Sequence, residues 1–395
     1  MNSLNVSIKI VLILVKKGAQ FMKQLLTKMI KASVGAAILT FGLASTSSAE
    51  VGFGKPGQPV NLVIGYQPYY TESWSGVVIN GKDLWKKYLP KGSTAKFEIG
   101  LQGSVIVGKL LGEKNHIGYM GDMPAIVSSM REKQVDLRMI SVLGTSKQQC
   151  NIFLVPNNAP KFKSGMDAVK WMNGKLIAAP HGACTDRFAL LAFEQAGIKP
   201  SKYLNMNIEN ITKNLEAGKI AGAAIWEPTA SKIEMAGIAR RGATGADFAG
   251  DDAGDAGFLV MMNEIIQTRP DVHRGWLEAE LDAQLFLADL GNANAVSKMA
   301  DDQTEGIKRK VLWASLYRDE NKVNKLTLDF IFNDKVTTML KASTAFLAKK
   351  KKFGKRKALR PESVWDDMAR KILKERGLKS PLGKIDGVPL SQYKN

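Results

Sequence analysis

Two strand–turn–helix segments carry the residue types best suited to chemistry in this chain. In residues 117–124 an apolar strand leads through Gly121, Asp122 and Met123 into a predicted helix, and residues 176–185 repeat that design. The start of a helix leaves backbone N–H groups unpaired and carries a partial positive charge. The two segments therefore predict a site for a small polar or anionic ligand.

The second turn contains the more reactive side chains. We predict that His181 donates to a ligand, that Gly182 lets the backbone approach it closely, and that Thr185 lies beside them. We predict that Cys184 lines the pocket. Because it stands at a predicted helix start, where a thiol pKa is lowered, a role as nucleophile or metal ligand stays open. A disulfide between Cys150 and Cys184 is a further alternative, because exported proteins retain such bonds.

Other candidate ligand contacts lie at or just after the ends of predicted strands. They are Tyr66, Gln67, Tyr69, Tyr70, Trp74, Gln102, Gly103, Trp226 and Glu227. The rings of Tyr69, Tyr70 and Trp74 are candidates to stack on a flat ligand. If Asp122 and Glu227 both contact the ligand, an amine-bearing zwitterion such as taurine, or a pyrimidine, is favoured over a simple anion. The alternative for both carboxylates is helix capping.

The elements that must position these residues alternate along the chain. One strand–helix series occupies residues 60–142 and a second occupies residues 152–225. This alternation predicts an α/β fold with doubly wound, mostly parallel sheets. Because 395 residues exceed one ordinary core, we expect two lobes joined by two crossings, with the ligand in the cleft between them.

The expected boundaries follow from these two series. We predict lobe 1 over residues 58–145, lobe 2 over 146–252, a return to lobe 1 over 253–305, and a helical, basic C-terminal extension over 306–395. The N-terminus has a basic region, a short apolar stretch and small residues for cleavage, which predicts a signal peptide over residues 1–49 and a periplasmic protein. Met22 is an alternative true start.

Composition limits the classes of partner. The net charge of +19 is concentrated at the chain ends: residues 1–49 carry +6 and residues 348–395 carry +10, which leaves +3 for residues 50–347. We therefore expect no nucleic-acid partner, although weak contact of the basic C-terminus with membrane or cell wall stays open. Two cysteines and three histidines exclude a disulfide scaffold and a histidine-rich metal centre, so we expect no metal and no cofactor.

Several motifs occur in an order typical of one family. Gly65-Tyr66-Gln67 is followed by Gly118-Tyr119-Met120-Gly121-Asp122-Met123-Pro124 and then by Ala223-Ala224-Ile225-Trp226-Glu227-Pro228. Over residues 58–300 the chain resembles the periplasmic substrate-binding proteins of ABC importers for nitrate, sulfonates and taurine, which are similar to thiamine-precursor binders. The turn at residues 181–185 departs from the serine-rich turn that sulfonate binders often have.

The resemblance implies a fold and a function. It implies a monomeric, two-lobed periplasmic-binding-protein fold of type II that closes on one small ligand and delivers it to an ABC permease and its ATPase, without catalysis. By the family pattern, Gln67, Gln102, residues 121–123, 181–185 and 226–227 line the cleft. Alternatives are a binder of a thiamine-type pyrimidine or an aromatic acid, an enzyme related to pyrimidine synthesis, and an adhesion protein that uses the basic C-terminus.

Overall fold

The computed structural model describes residues 52–394 of the chain. The predicted signal peptide over residues 1–49 and the alternative start at Met22 lie outside the described part. None of the helices within residues 52–394 is both long enough and apolar enough to cross a membrane.

A seven-stranded sheet forms the base of what we call lobe 1. From one edge to the other its strands are β12 (Gly383–Asp386), β11 (Asn324–Leu328), β4 (Leu137–Ser146), β10 (Asp255–Met262), β3 (Ile117–Gly121), β1 (Asn61–Tyr66) and β2 (Thr94–Ile99). All but β10 and β11 point the same way. Every residue of β3, β4 and β10 is buried, because helices cover both faces of the sheet.

A five-stranded sheet forms what we call lobe 2. Its strands are, in order across the sheet, β7 (Lys202–Asn205), β6 (Leu176–Ala179), β8 (Gly222–Ile225), β5 (Ile152–Pro156) and β9 (Ala239–Thr244). All but β5 point the same way. The predicted α/β fold with two mostly parallel sheets is therefore confirmed. β9 was missed, because Arg240, Arg241 and Gly242 interrupt the apolar pattern of a strand.

The helices follow the strands much as the alternation predicted. In chain order they are α1 (Trp74–Lys82), α2 (Gly103–Leu111), α3 (Asp122–Ser129), α4 (Gly165–Trp171), α5 (Cys184–Ala196), α6 (Ile208–Glu216), α7 (Thr229–Met235), α8 (Asn263–Thr268), α9 (Pro270–Ala288), α10 (Ala293–Asp302), α11 (Arg309–Tyr317), α12 (Asp334–Lys349) and α13 (Asp367–Glu375). After α1 the chain turns at Asp83, which adopts a left-handed conformation with φ +51°.

The chain crosses between the sheets twice. Residues 147–151 connect β4 to β5, and residues 245–254 connect β9 back to β10. The crossings touch, since the N–H of Gly245 donates to the Asn151 carbonyl (2.9 Å) and the Asn151 side chain donates to the Ala253 carbonyl (2.7 Å). This pairing makes a narrow connection between the two lobes, with the cleft beside it.

The C-terminal region differs from its prediction in one respect. It was expected to be helical, but it also contributes β11 and β12, which extend the larger sheet beside β4. These strands are only five and four residues long and lie at the sheet edge. Their pairing partners are distant in sequence, so the local pattern of residues gave no strand signal.

Candidate functional site

A cavity of about 270 Å³ lies in the cleft between the lobes. Residues of three regions line it: lobe 1, lobe 2 and the C-terminal region after α11. They are Gln67, Tyr70, Gln102, Gly103, Ser104, Val107, Gly121, Met123, Pro124, Val127, Pro180, His181, Gly182, Ala183, Cys184, Trp226, Leu347 and Lys352. One water molecule needs roughly 10–15 Å³ of such space, so the cavity can hold a small organic molecule.

Three helix starts reach this cavity: those of the two strand–turn–helix segments and that of α2, which follows the predicted contact Gln102. The residues that precede α2, α3 and α5 are Gln102, Gly121 and Ala183; each is extended, and none caps its helix with a side chain. The first-turn N–H groups thus direct partial positive charge toward the cavity. The starts of α2 and α3 pack closely because Gly103 has no side chain, and a Cβ there would clash with the Pro124 ring.

Besides Tyr70, the cavity brings together nine of the predicted site residues. They are Gln67, Gln102, Gly103, Gly121, Met123, His181, Gly182, Cys184 and Trp226. Backbone carbonyls hold two of these side chains in place. Gln67 Nε2 donates to the Tyr119 carbonyl (3.3 Å), and Trp226 Nε1 donates to the Tyr69 carbonyl (3.2 Å). The second bond links lobe 2 to lobe 1 beside the cavity.

Three predicted aromatic contacts do not line the cavity. Trp74 is fully buried and donates its indole N–H to the Pro68 carbonyl, so it belongs to the core of lobe 1. The Tyr66 hydroxyl accepts a bond from Asn80, and the Tyr69 hydroxyl accepts one from the N–H of Glu305 (2.7 Å). The ring that does line the cavity is that of Tyr70, the neighbour of Tyr69. Local spacing cannot tell which of two adjacent tyrosines turns inward.

Asp122 and Glu227, the two acidic residues predicted to contact the ligand, bond to other groups of the protein instead. One Asp122 oxygen accepts from the Met123 N–H (2.7 Å) and the other from the Ser343 hydroxyl (2.5 Å). Glu227 accepts the N–H and hydroxyl of Ser231 at 2.9 Å each, and it pairs with Arg241. Glu227 thus caps α7, which was the alternative role, and neither carboxylate lines the cavity. The condition that favoured an amine-bearing ligand is therefore not met.

Thr185 is the sixth predicted contact that does not line the cavity. Its side chain is fully buried and its hydroxyl lies 3.5 Å from the Pro180 carbonyl, inside the turn. Several lining side chains were not among the predicted contacts, including those of Val107, Val127, Leu347 and Lys352. Val107 and Val127 lie one turn or more into α2 and α3, where helical spacing from Gly103 and Met123 could have indicated them. Leu347 and Lys352 had no such local signal.

His181 occupies an exposed position in the second turn. Its N–H donates to Asn205 Oδ1 (3.0 Å), and its ring lies 4.6 Å from the Tyr203 ring, centre to centre. Burial lowers the pKa of His181; the nearby Lys350 and Lys352 lower it further, and Asp186 opposes them. At neutral pH the imidazole is therefore uncharged and can both donate and accept one hydrogen bond.

Cys184 is joined to Cys150 in a disulfide, with 6.1 Å between their Cα atoms. The bond ties the first crossing to the start of α5, directly at the cavity wall. It also removes the free thiol that a nucleophilic role would need. The two sulfurs and an Asp255 oxygen lie within 4.8 Å of one another. This group could hold a metal ion only if both cysteines were reduced, because thiolates are the ligands.

A buried acidic pair lies behind the cavity. The Tyr70 hydroxyl contacts the Glu72 carboxylate. It also lies 3.1 Å from an oxygen of the Asp255 carboxylate. Burial, followed by the charge of Asp122, raises the pKa of Asp255 to about 7, and burial raises the pKa of Glu72 well above its usual range. One hydroxyl proton cannot serve two carboxylates, so a protonated carboxyl fits this arrangement. The pair therefore adds little negative charge beside the cavity.

The two-lobed α/β architecture, with a ligand-sized cavity at its two-stranded connection, is the fold of periplasmic binding proteins. Residues 47–301 match the model of the NMT1-like family, and the chain belongs to that family. The match confirms the resemblance seen in the sequence motifs. A comparison with curated proteins found no match.

Solved structures give the same fold at low sequence identity. The periplasmic aliphatic sulphonate binding protein SsuA from Escherichia coli is 20% identical, with a TM-score of 0.63 over 78% of this chain and 93% of that chain. The periplasmic nitrate-binding protein NrtA from Synechocystis PCC 6803 is 12% identical, with a TM-score of 0.60 over 82% and 90%. The desulfurization enzyme DSZB is 13% identical, with a TM-score of 0.57 over 80% and 99%.

Proposed function

We propose that this chain is the periplasmic solute-binding component of an ABC importer. It captures a small anionic ligand in the cavity and passes it to a membrane permease and its ATPase. The observation that carries the proposal is the cavity itself, which three helix starts line and to which Asp122 and Glu227 present no carboxylate. Helix starts with free N–H groups bind anions.

The cavity lies between the two lobes, and this position explains how a ligand would be captured. Gly121 and Met123 approach the ligand from lobe 1, and His181 and Gly182 approach it from lobe 2. A ligand that contacts both sides stabilises the closed arrangement by its differential contacts. We take residues 58–145 with 253–305 as one closing body and 146–252 as the other. The protein acts as a monomer.

Sulfonates are the ligand class that the site fits best. A sulfonate presents several acceptor oxygens to N–H donors, and its organic part can contact the apolar lining. Nitrate offers the same acceptors without the organic part. Taurine adds an ammonium group, for which Asp122 and Glu227 are unavailable. A thiamine-type pyrimidine or an aromatic acid remains an alternative, because Tyr70 and Trp226 can contact a ring.

Calorimetric titration of the purified protein tests the proposal. The probes are butanesulfonate, nitrate, taurine, benzoate and 4-aminopyrimidine. We expect stoichiometric binding of at least one anion, and a ligand at one hundred times its Kd should raise the free energy of unfolding by about 2.7 kcal/mol. Binding of 4-aminopyrimidine alone would transfer the proposal to the pyrimidine alternative. Failure of every probe to bind would contradict it.

The similarity to a desulfurization enzyme supports one alternative, an enzyme that uses Cys184 and His181. The disulfide between Cys150 and Cys184 speaks against it. Incubation of the protein with each bound probe, with and without a thiol reductant, followed by mass spectrometry, separates the two. We expect the probe to be recovered unchanged under both conditions. Product formation that depends on Cys184 would replace transport with catalysis.

A further inference from the structure

The ligand cavity has a third wall, which comes from outside the family match. That match ends at residue 301. Two of the lining residues, Leu347 and Lys352, lie well beyond it, at the end of α12 and in the turn that follows. From the sequence this region was only a basic extension. In the structure it lies against the same cavity that both lobes line.

Contacts with lobe 1 fix α12 and its turn in place. The Ser343 hydroxyl donates to Asp122 at the start of α3 (2.5 Å). After the turn, Arg356 pairs with Glu132, and Arg360 Nε donates to the Ser129 carbonyl (2.8 Å). The segment is thus attached to lobe 1 on both sides of the lining residues.

The turn itself has a defined geometry. The N–H of Lys352 donates to the Leu347 carbonyl (3.0 Å), and the N–H of Lys351 donates to the Ala348 carbonyl (2.9 Å). Lys351 is left-handed, with φ +57°. These bonds are those of a Schellman motif, which ends a helix and brings the last residue back over its final turn. The motif places Leu347 and Lys352 next to one another at the cavity.

Lys352 is the charged residue among those that line the cavity. Within residues 52–394 its ammonium group has no hydrogen bond or ion pair with another side chain. The neighbouring Lys350 instead lies over the Phe346 ring, 5.4 Å from its centre. Since His181 is uncharged at neutral pH, the cavity presents one unpaired cation together with three helix starts. That combination favours a ligand with a negative charge.

Apolar side chains form much of the remaining lining. Val107, Met123, Val127, Trp226 and Leu347 contribute to it from all three walls. A bare oxyanion would fill only part of a cavity of about 270 Å³ and would leave water beside this lining. An organic chain or ring attached to the anion would displace that water and bury apolar surface.

We propose that α12 and the following turn form a ligand-binding wall, in which Lys352 contacts the anionic group of an organic anion and Leu347 contacts its apolar part. Both are specificity-determining residues for the site, and the inference rests on the proposed solute-binding function. The C-terminal region then decides which anion the two lobes close upon.

Matched variants of the full chain test this wall by calorimetry at low salt. The probes are hexanesulfonate and methanesulfonate. Lys352→Gln should weaken binding of both by about fivefold, which is the upper end of the range for one exposed ion pair. Lys351→Gln removes the adjacent positive charge from a residue outside the cavity and should change affinity by less than about twofold. Leu347→Ala should weaken hexanesulfonate while leaving methanesulfonate nearly unchanged.

A second measurement is independent of any ligand. Because Lys352 lies near His181, Lys352→Gln should raise the pKa of the His181 imidazole in an NMR titration. Lys379→Gln, at an exposed lysine in another part of the C-terminal region, should leave that pKa unchanged.

The outcomes separate this inference from the proposed function. If the unaltered protein binds the sulfonates and the two cavity variants, Lys352→Gln and Leu347→Ala, bind them equally well, the wall is wrong and the solute-binding function stands. If the unaltered protein binds only 4-aminopyrimidine, the solute-binding function is supported. The proposal that the wall selects an organic anion is then wrong. If it binds no probe, the ligand-binding wall and the proposed solute-binding function are both contradicted. An unchanged His181 pKa in Lys352→Gln would contradict the placement of Lys352.

Discussion

The hydroxyl of Ser343 in α12 donates a 2.5 Å hydrogen bond to the Asp122 carboxylate at the start of α3. These residues are 221 positions apart in sequence. Asp122 also accepts the Met123 N–H and lies 3.6 Å from the Arg187 guanidinium. The carboxylate is therefore fully engaged within the protein. It joins the C-terminal region and lobe 2 to the cavity wall, and it leaves the cavity free of its charge.

Replacing Ser343 should destabilise the protein. Ser343→Ala removes a donor from a buried carboxylate, so we expect the free energy of unfolding to fall by about 1.5–3 kcal/mol in urea. Ser315→Ala is the matched control, because that buried hydroxyl donates to the Leu312 carbonyl of its own helix. Its loss should be about 1 kcal/mol or less. Equal losses in the two variants would show that the Ser343–Asp122 bond stabilises the fold no more than a hydrogen bond within one helix does.

The disulfide should contribute strongly to stability. The bond between Cys150 and Cys184 closes a loop with a sequence separation of 34. A loop of this length restricts the unfolded chain enough to stabilise the fold by about 3–4 kcal/mol. Urea unfolding of the protein with and without reductant should show this difference. The Cys150→Ala, Cys184→Ala double variant serves as control, since its stability should not respond to reductant.

The buried acidic pair should make stability fall as pH rises. The folded-state pKa of Asp255 is raised to about 7, so the folded protein holds a proton that the unfolded chain releases near pH 4. Its contribution is complete below about pH 4 and is lost as pH rises through about 7. Asp255→Asn should flatten the decline in unfolding free energy between pH 5 and pH 7.

An exposed carboxyl provides the control for this pH dependence. Asp251 lies in the second crossing, four residues before Asp255, and its side chain is exposed. Asp251→Asn should leave the slope of unfolding free energy against pH as it is in the unaltered protein. A slope in Asp255→Asn equal to that of the unaltered protein would argue against a protonated Asp255 in the folded state.

Arg241 should be essential for lobe 2. It pairs with the fully buried Glu227 and, at 3.2 Å, with Glu234. Arg241→Met leaves both carboxylates without this partner, so we expect a loss of about 3–5 kcal/mol in unfolding free energy. Lys298→Met breaks the exposed pair with Asp302 and should change stability by less than about 1 kcal/mol. Similar effects of the two substitutions would show that the buried pairing of Arg241 stabilises the protein no more than the exposed Lys298–Asp302 pair does.

Much of the site was predictable from local sequence. Gly121 and Gly182 lie in turns between an apolar strand and a helix, and such turns at the ends of parallel strands meet at one edge of a sheet. Gln67, Gln102 and Trp226 were found by the same rule. Tyr66, Tyr69 and Trp74 lie at or after the end of β1 too, yet their side chains contact other parts of the protein and not the cavity. The local pattern does not specify which way such a residue points.

The sequence by itself determined the alternation of strands and helices, and with it the two lobes, the cleft and the helix starts that reach it. These features depend on residue periodicity and turn chemistry, which act over a few positions. Only the tertiary structure decided that Asp122 and Glu227 face protein partners, that Cys150 meets Cys184, and that Leu347 and Lys352 close the cavity. Those outcomes depend on packing between residues far apart in the chain, for which a local pattern carries no signal.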